Sequence, residues 1–289
     1  MWADRPDATG GGQLELLRRL CEQAARAGGE VARQLFATDL KVRFKADRSE
    51  VCDADEAAQA AILAALRAQR PSDAFLAEET LPVSDRQGVL PQPAPDRVCW
   101  IIDPVDGTRN FVRGIPLWAC SVAAMLAGMP VAGAIYDPHR DRLYSADRDS
   151  GLLVNGRAWT RAPHGRSAPG GGSRRPIVGL PSTPRGPVAA IAHRWLDRCI
   201  CRCLGSTALH LAMVATGELN GALTDNSHLW DLAAGWVLIR AAGGEMTSPA
   251  GDPLFPVDLA VYRGEELPAL AIGVRGDPDL SRPGSGWGK

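Results

Sequence analysis

The sequence predicts an α/β fold, with a mixed or antiparallel sheet in its first half and alternating strands and helices in its second. Three observations carry that expectation. Two helical stripes come first, strand-like apolar runs separated by tight turns follow, and beyond a Gly/Pro-rich segment at 165–175 strand and helix patterns alternate. A chain of 289 residues, 45% hydrophobic and 22% charged, can bury a sizeable core. The organisation expected is a disordered tail over 1–12, an α+β half over 13–164, a linker-like loop over 165–175 and an α/β half over 176–289, the two halves forming one unit.

Residues 13–36 carry Leu14, Leu17, Leu20, Ala24, Ala27 and Val31 at helical spacing, and residues 53–70 carry Ala57, Ala60, Ala61, Ala64 and Ala65 similarly. Each reads as an amphipathic helix. Phe75-Leu76-Ala77 ends at Glu78-Glu79, and Val98-Cys99-Trp100-Ile101-Ile102 ends at Asp103, so both read as strands with acids at their ends. Runs at 117–125 and 131–136, flanking Gly128-Met129-Pro130, read as paired antiparallel strands, with a third near 142–146. After Pro169-Gly170-Gly171-Gly172-Ser173 come a strand at 177–180, a helix at 188–196, a strand at 199–204, a helix at 207–216 and a strand at 221–224. Trp230-Asp231 opens a last helix over 232–242, stopped by Gly243-Gly244.

A formal net charge of -1 supplies no global field for nucleic acid or an anionic membrane, so neither is expected as a partner. The most apolar segment, 118–136, is interrupted by Ser121, Gly128, Pro130 and Gly133, which suits two core strands and a turn rather than a membrane span. No basic region followed by an apolar one opens the chain, and seven cysteines without framework spacing suit reduced thiols in the cytoplasm. Cys199, Cys201 and Cys203 alternate as on one strand face; core packing is the reading preferred over a soft-metal site.

Asp103-Pro104-Val105-Asp106-Gly107-Thr108 places two carboxylates in a tight turn after an apolar strand. Two carboxylates facing one point call for a cation, and oxygen ligands with no nearby His or Cys cluster favour magnesium, or manganese, over zinc. The Gly107 and Thr108 amides would face the same site if a helical turn begins there, so that a phosphate could bridge metal and amides. The alternative is an Asx-type turn in which both aspartates merely cap the chain. Glu78, Glu79 and Asp231 are singly compatible with surface or capping roles; their weight comes from combination, since two-metal chemistry needs several carboxylates and a group that orients water. His228 could touch substrate or an acidic neighbour, and Trp118, Trp230 and Trp236 read as core or site-wall residues.

Ala77-Glu78-Glu79, the run from Trp100 to Phe111, Gly205-Ser206-Thr207-Ala208, and Leu229-Trp230-Asp231-Leu232-Ala233-Ala234-Gly235 together resemble the signatures of the inositol monophosphatase family, in order and spacing. The similarity runs from about Lys45 to Gly244. The resemblance implies a layered αβαβα sandwich of the sugar-phosphatase type, a homodimer, and metal-dependent attack of water on a small phosphate monoester. It implies that Glu78, Asp103 and the Val105 carbonyl bind one magnesium, and that Asp103, Asp106 and Asp231 bind a second. Glu78 and Thr108 are implied to activate the water, Thr108 passing its proton to Glu78. Gly107, Thr108, Thr224 and Asp231 fall at substrate-binding positions, and Lys45, Asp55 and Glu79 at positions that complete the site or support a third ion.

The match departs from the family pattern in places. Cys52 stands where Thr is frequent, and a thiol is a weak donor. Thr224 stands where inositol-preferring members place Glu, so Thr224→Glu is expected to shift preference toward inositol phosphates. The segment from Phe111 to Trp118, with Arg113, resembles histidinol-phosphate phosphatases of the same superfamily. The expectation is therefore a phosphatase of inositol monophosphate or a similar polyol phosphate, with histidinol phosphate as the alternative substrate. A catalytically silent phosphate-binding protein is a third class, against which the retained Glu78 and Thr108 weigh.

Overall fold

The computed structural model describes residues 11–44, 50–80, 97–160, 175–273 and 280. Residues 1–10 of the expected tail, 165–174 of the expected loop, the last four residues before it (161–164), and Lys45 lie outside the described residues. The chain opens with α1 (Gly11–Leu35), a hairpin of β1 (Val42–Phe44) and β2 (Glu50–Cys52), and α2 (Asp53–Arg67). Leu14, Leu17, Leu20, Cys21 and Ala24 of α1 are buried in one cluster with Trp100, Ile102, Val122 and Ala134. In α2 the buried positions are Ala54, Asp55, Ala58, Ile62 and Leu66, while Ala60 and Ala64 of the expected stripe are exposed. The cause is size: fully burying an Ile or Leu side chain is worth ~1.5–3 kcal/mol, far more than a methyl group, so Ile62 and Leu66 choose the face.

Seven strands form the first sheet in sequential order: β3 (Ala74–Ala77), β4 (Cys99–Asp106), β5 (Ala119–Leu126), β6 (Met129–Asp137), β7 (Arg142–Asp147), β8 (Gly151–Val154) and β9 (Arg157–Ala158). β3 pairs parallel with β4 and the remaining neighbours are antiparallel. A short helix, α3 (Thr108–Val112), follows β4. In the second half come β10 (Ile177–Gly179), α4 (Gly186–Arg198), β11 (Ile200–Arg202), α5 (Thr207–Thr216), β12 (Gly221–Thr224), α6 (Leu229–Ala241), β13 (Glu245–Thr247) and β14 (Ala269–Ile272). Their strands form a five-stranded sheet in the order β11-β10-β12-β14-β13, parallel across β11-β10-β12 and antiparallel thereafter.

The strand alternation sorts side chains into layers. Trp100, Ile102, Cys120, Val122 and Ala124 join α1 and α2, whereas Cys99, Ile101, Ala119, Ala123 and Met125 join α5 and α6 on the opposite face. In the second sheet Ala222, Ala269 and Ala271 face α5 and α6, while Leu223 and Leu270 face Val188, Ile191 and Trp195 of α4. The result is the expected αβαβα sandwich. Sheets covered on both faces explain why β4 is buried at every position and β5 at all but its last. α6, buried on nearly every side between two sheets, likewise has no polar stripe.

Several boundaries differ from the sequence expectations. β4 does not stop before Asp103: pairing with β5 continues as Asp103↔Ser121 and, across a register shift, Asp106↔Ala119. α6 begins at Leu229, so Trp230 and Asp231 lie inside its first turn. Of the three alternating cysteines, only Cys199 is buried in the core; Cys201 is half-buried and Cys203 exposed, because β11 is a three-residue edge strand.

Candidate metal centre and active site

Three carboxylates converge where β4 ends and α6 begins. One oxygen from each of Asp103, Asp106 and Asp231 lies within 4.8 Å of the others. Asp103 accepts the Val105 N-H at 3.0 Å, which folds the carboxylate back over the irregular end of β4. Asp231, in the first turn of α6, accepts the His228 N-H at 2.5 Å in a reciprocal capping arrangement. Asp106 reaches the N-terminus of α5, accepting from Ser206 Oγ, from the Ala208 N-H at 2.8 Å and from the Thr207 N-H at 3.2 Å.

Burial dominates the electrostatics. It pushes the Asp103 carboxyl well above the usual range, and the charges of Glu78, Asp106 and Asp231 push it further. Burial, then Asp106 and Glu78, do the same to Asp231. Asp106 rises only to about 6, since Ser206 and the α5 amides offset part of the desolvation. Crowded carboxylates that resist ionising together are a donor set that a divalent cation relieves, so these residues fit such an ion.

A cavity of about 610 Å³ adjoins the cluster, lined by Asp231, Glu78, Gly107 and Thr108. Glu78 opens the 3-10 turn Glu78–Thr80 and stands outside the three-carboxylate cluster. Glu79 does not line the cavity; its N-H donates to Gln59 Oε1 at 3.1 Å. Gly107 adopts φ 102°, and a Cβ there would sit 3.0 Å from the Leu117 carbonyl oxygen, so the turn between Asp106 and α3 needs glycine. Thr108 Oγ1 donates to Asp55 Oδ1 at 3.0 Å and lies 3.1 Å from the Val105 carbonyl. The hydroxyl thus has Asp55 as its carboxylate partner, where Glu78 was expected. Asp55 itself is fully buried, takes the Cys52 N-H and thiol on Oδ2 at 2.8 and 2.9 Å, and is raised to about 6 by desolvation.

Thr224 does not line the cavity: it is buried, its hydroxyl lying 2.7 Å from Ser227 Oγ and accepting the Ala269 N-H at 3.0 Å. The neighbouring Asp225 lines it instead, next to Arg185 and Asn226. Arg113 is exposed and bound bidentately to Glu50, at 2.8 and 3.0 Å; Glu50, not Arg113, reaches the cavity wall. His228 stacks on Trp230 with ring centroids 4.8 Å apart, and both line the cavity.

A family model described as the inositol monophosphatase family matches residues 13–270. The chain belongs to the inositol monophosphatase family. An inositol-1-monophosphatase of Mesorhizobium japonicum is 35% identical over 268 residues, covering 89% of this chain and 94% of the relative. Among solved structures, the extragenic suppressor protein suhB of Bartonella henselae superposes with a TM-score of 0.73 at 28% identity, over 92% of this chain and 97% of that one. The inositol monophosphatase of Anabaena (Nostoc) gives 0.71 at 26% identity, over 93% and 94%. Members of the inositol monophosphatase family are metal-dependent phosphoric monoester hydrolases, and this chain is a phosphatase of that family. No helix among the described residues is long and apolar enough to cross a membrane.

Sequence reasoning gave no role to Ser206, Glu50, Arg185 or Arg263, all of which line the cavity. Only Ser206 carried a local signal, as a serine placed to cap a helix. The others are ordinary charged residues in loops or strand ends until the fold collects them.

Proposed function

We propose that the protein is a magnesium-dependent phosphatase of a small phosphate monoester, an inositol monophosphate or a similar polyol phosphate. The observation that carries this reading is the meeting of Asp103, Asp106 and Asp231 beside a cavity walled by Glu78, Gly107 and Thr108. An all-oxygen donor set favours magnesium, with manganese next. The three aspartates, with Glu78 and the Val105 carbonyl, would hold roughly two or three ions. When bound, such ions supply positive charge that acidifies a nucleophilic water and offsets charge growing on the leaving oxygen.

The chain's own residues do the rest. The Gly107 and Thr108 amides receive phosphate oxygens, and Thr108 Oγ1 orients the water. The hydroxyl takes the water's proton and passes its own to Asp55 Oδ1, to which it already donates. With its carboxyl near 6, Asp55 can take that proton close to neutral pH. Around the mouth, Glu50, Arg185, Asp225, Arg263 and Glu266 carry both signs of charge and suit charge-assisted bonds to several hydroxyls. Seven free thiols support a reducing, cytoplasmic setting.

Phosphate release from inositol-1-phosphate and histidinol phosphate, with and without magnesium, tests the reading. Inositol-1-phosphate should be hydrolysed with the higher kcat/KM, and only with the metal. Absence of metal-dependent release from any small monoester would overturn the function; preference for histidinol phosphate would overturn the substrate class alone.

A further inference from the structure

Behind Asp106, the turn Leu204-Gly205-Ser206 is gripped from two sides. His210 of α5 is 3% exposed and accepts the Leu204 N-H on Nε2 at 3.2 Å. Asn110 of α3 donates its side-chain amide to the Leu204 carbonyl at 2.7 Å. Both backbone groups of Leu204 are therefore held by side chains. Two residues on, Ser206 caps α5, accepting the Leu209 N-H at 3.2 Å, and turns its hydroxyl onto Asp106 beside the Thr207 and Ala208 amides.

The imidazole suits this task. Strand β10 lies close against it, since a Cβ on Gly179 would be 2.9 Å from ring atom Cδ2, so the ring has little room to turn. With Nε2 accepting, the neutral ring carries its proton on Nδ1. Desolvation lowers its pKa to about 4, so the acceptor persists through the neutral range. A carboxylate in the same place would accept equally well but would add another buried negative charge behind Asp106.

We propose that His210 is a positioning residue for the metal centre: through Leu204 it fixes the turn from which Ser206 and the first α5 amides aim the Asp106 carboxylate. The inference rests on the reading of Asp106 as a metal ligand. Outer partners of metal ligands typically govern affinity by ~10–100-fold.

The test compares wild type with His210→Leu, which fills the site without an acceptor, and His210→Gln, which keeps one. Magnesium binding is measured by titration calorimetry, the melting temperature on metal-free protein, and kcat and KM separately on the loaded enzyme. His210→Leu is expected to weaken magnesium binding by ~10-fold or more with little change in KM, and His210→Gln to restore most of it. Ser206→Ala should weaken binding similarly, and combining it with His210→Leu should cost less than the sum, because both act through one carboxylate. If His210→Leu does not fold, His210→Asn, whose acceptor is drawn back from Leu204, takes its place. Wild-type magnesium affinity in His210→Leu, full additivity, or a His210→Gln as weak as His210→Leu would overturn the inference alone. A wild type that binds no magnesium would overturn it together with the proposed metal centre.

Discussion

Asp103 is unfavourable for the bare fold, while the proposed function makes it a metal ligand. Its carboxyl is raised in the folded protein, so between the ordinary carboxylate value near ~4 and its folded value the native state binds more protons than the unfolded chain. Stability from this group is therefore present at low pH and lost as pH rises. In the absence of metal, Asp103→Asn should melt above wild type at pH 7, with the gap closing as the pH falls toward ~4. Thermal scans across that range check it, and a variant that melts lower at pH 7 would refute it. The same substitution should lower kcat/KM by ~100-fold or more, because it removes a charge from the proposed ion-binding set. Thr224 carries the opposite lesson. With its hydroxyl committed to Ser227 and the Ala269 N-H, Thr224→Glu would bury an unpaired carboxylate rather than present one to substrate. The expected outcome is a loss of ~2–4 kcal/mol in urea denaturation and no gain in inositol preference.

At the scale of elements, α1 and α2 are anchored by polar groups as well as by their apolar faces. Arg18 of α1 donates to Asp147 at the end of β7 at 3.0 Å, and both side chains are almost wholly buried. Arg18→Leu should destabilise the protein by ~3 kcal/mol, since a buried charge loses its partner, although Asp147 keeps the Asp149 and Ser150 amides. Equilibrium unfolding measures the loss; a change under ~1 kcal/mol would mean the pair contributes little. At the start of α2, Cys52 occupies the N-cap position in extended conformation, where sulfur is only a weak acceptor for the first-turn amides. Cys52→Ser should add ~0.5–1 kcal/mol by offering a hydroxyl that caps the first turn and still donates to Asp55. The periodicity of α1 was legible along the chain. The burial face of α2 was not, because a run of alanines carries little information about which side is driven inward.

For the whole molecule, the two halves share one core, in which Ile101 and Met125 of the first sheet lie with Leu211, Trp236 and Ala271 of the second half. The three-aspartate cluster sits at that junction, so under the proposed function chelation should abolish phosphate release and lower the melting temperature, and magnesium should restore both. Saturation at ~100 times the dissociation constant corresponds to ~2.7 kcal/mol of stabilisation. Unchanged melting across a magnesium titration would count against a structural coupling between ion and fold. What the sequence by itself determined is local: the carboxylates and their spacing in Asp103-Pro104-Val105-Asp106-Gly107-Thr108, the apolar periods of most helices and strands, and the layered α/β class. Those depend on covalent neighbours and on repeat lengths. Tertiary structure decided the partners: Thr108 with Asp55, Arg113 with Glu50, Thr224 turned into the sheet, and β14 inserted between β12 and β13 from a stretch with little signal of its own. Each of those depends on where packing brings distant segments together, which a local residue pattern does not encode.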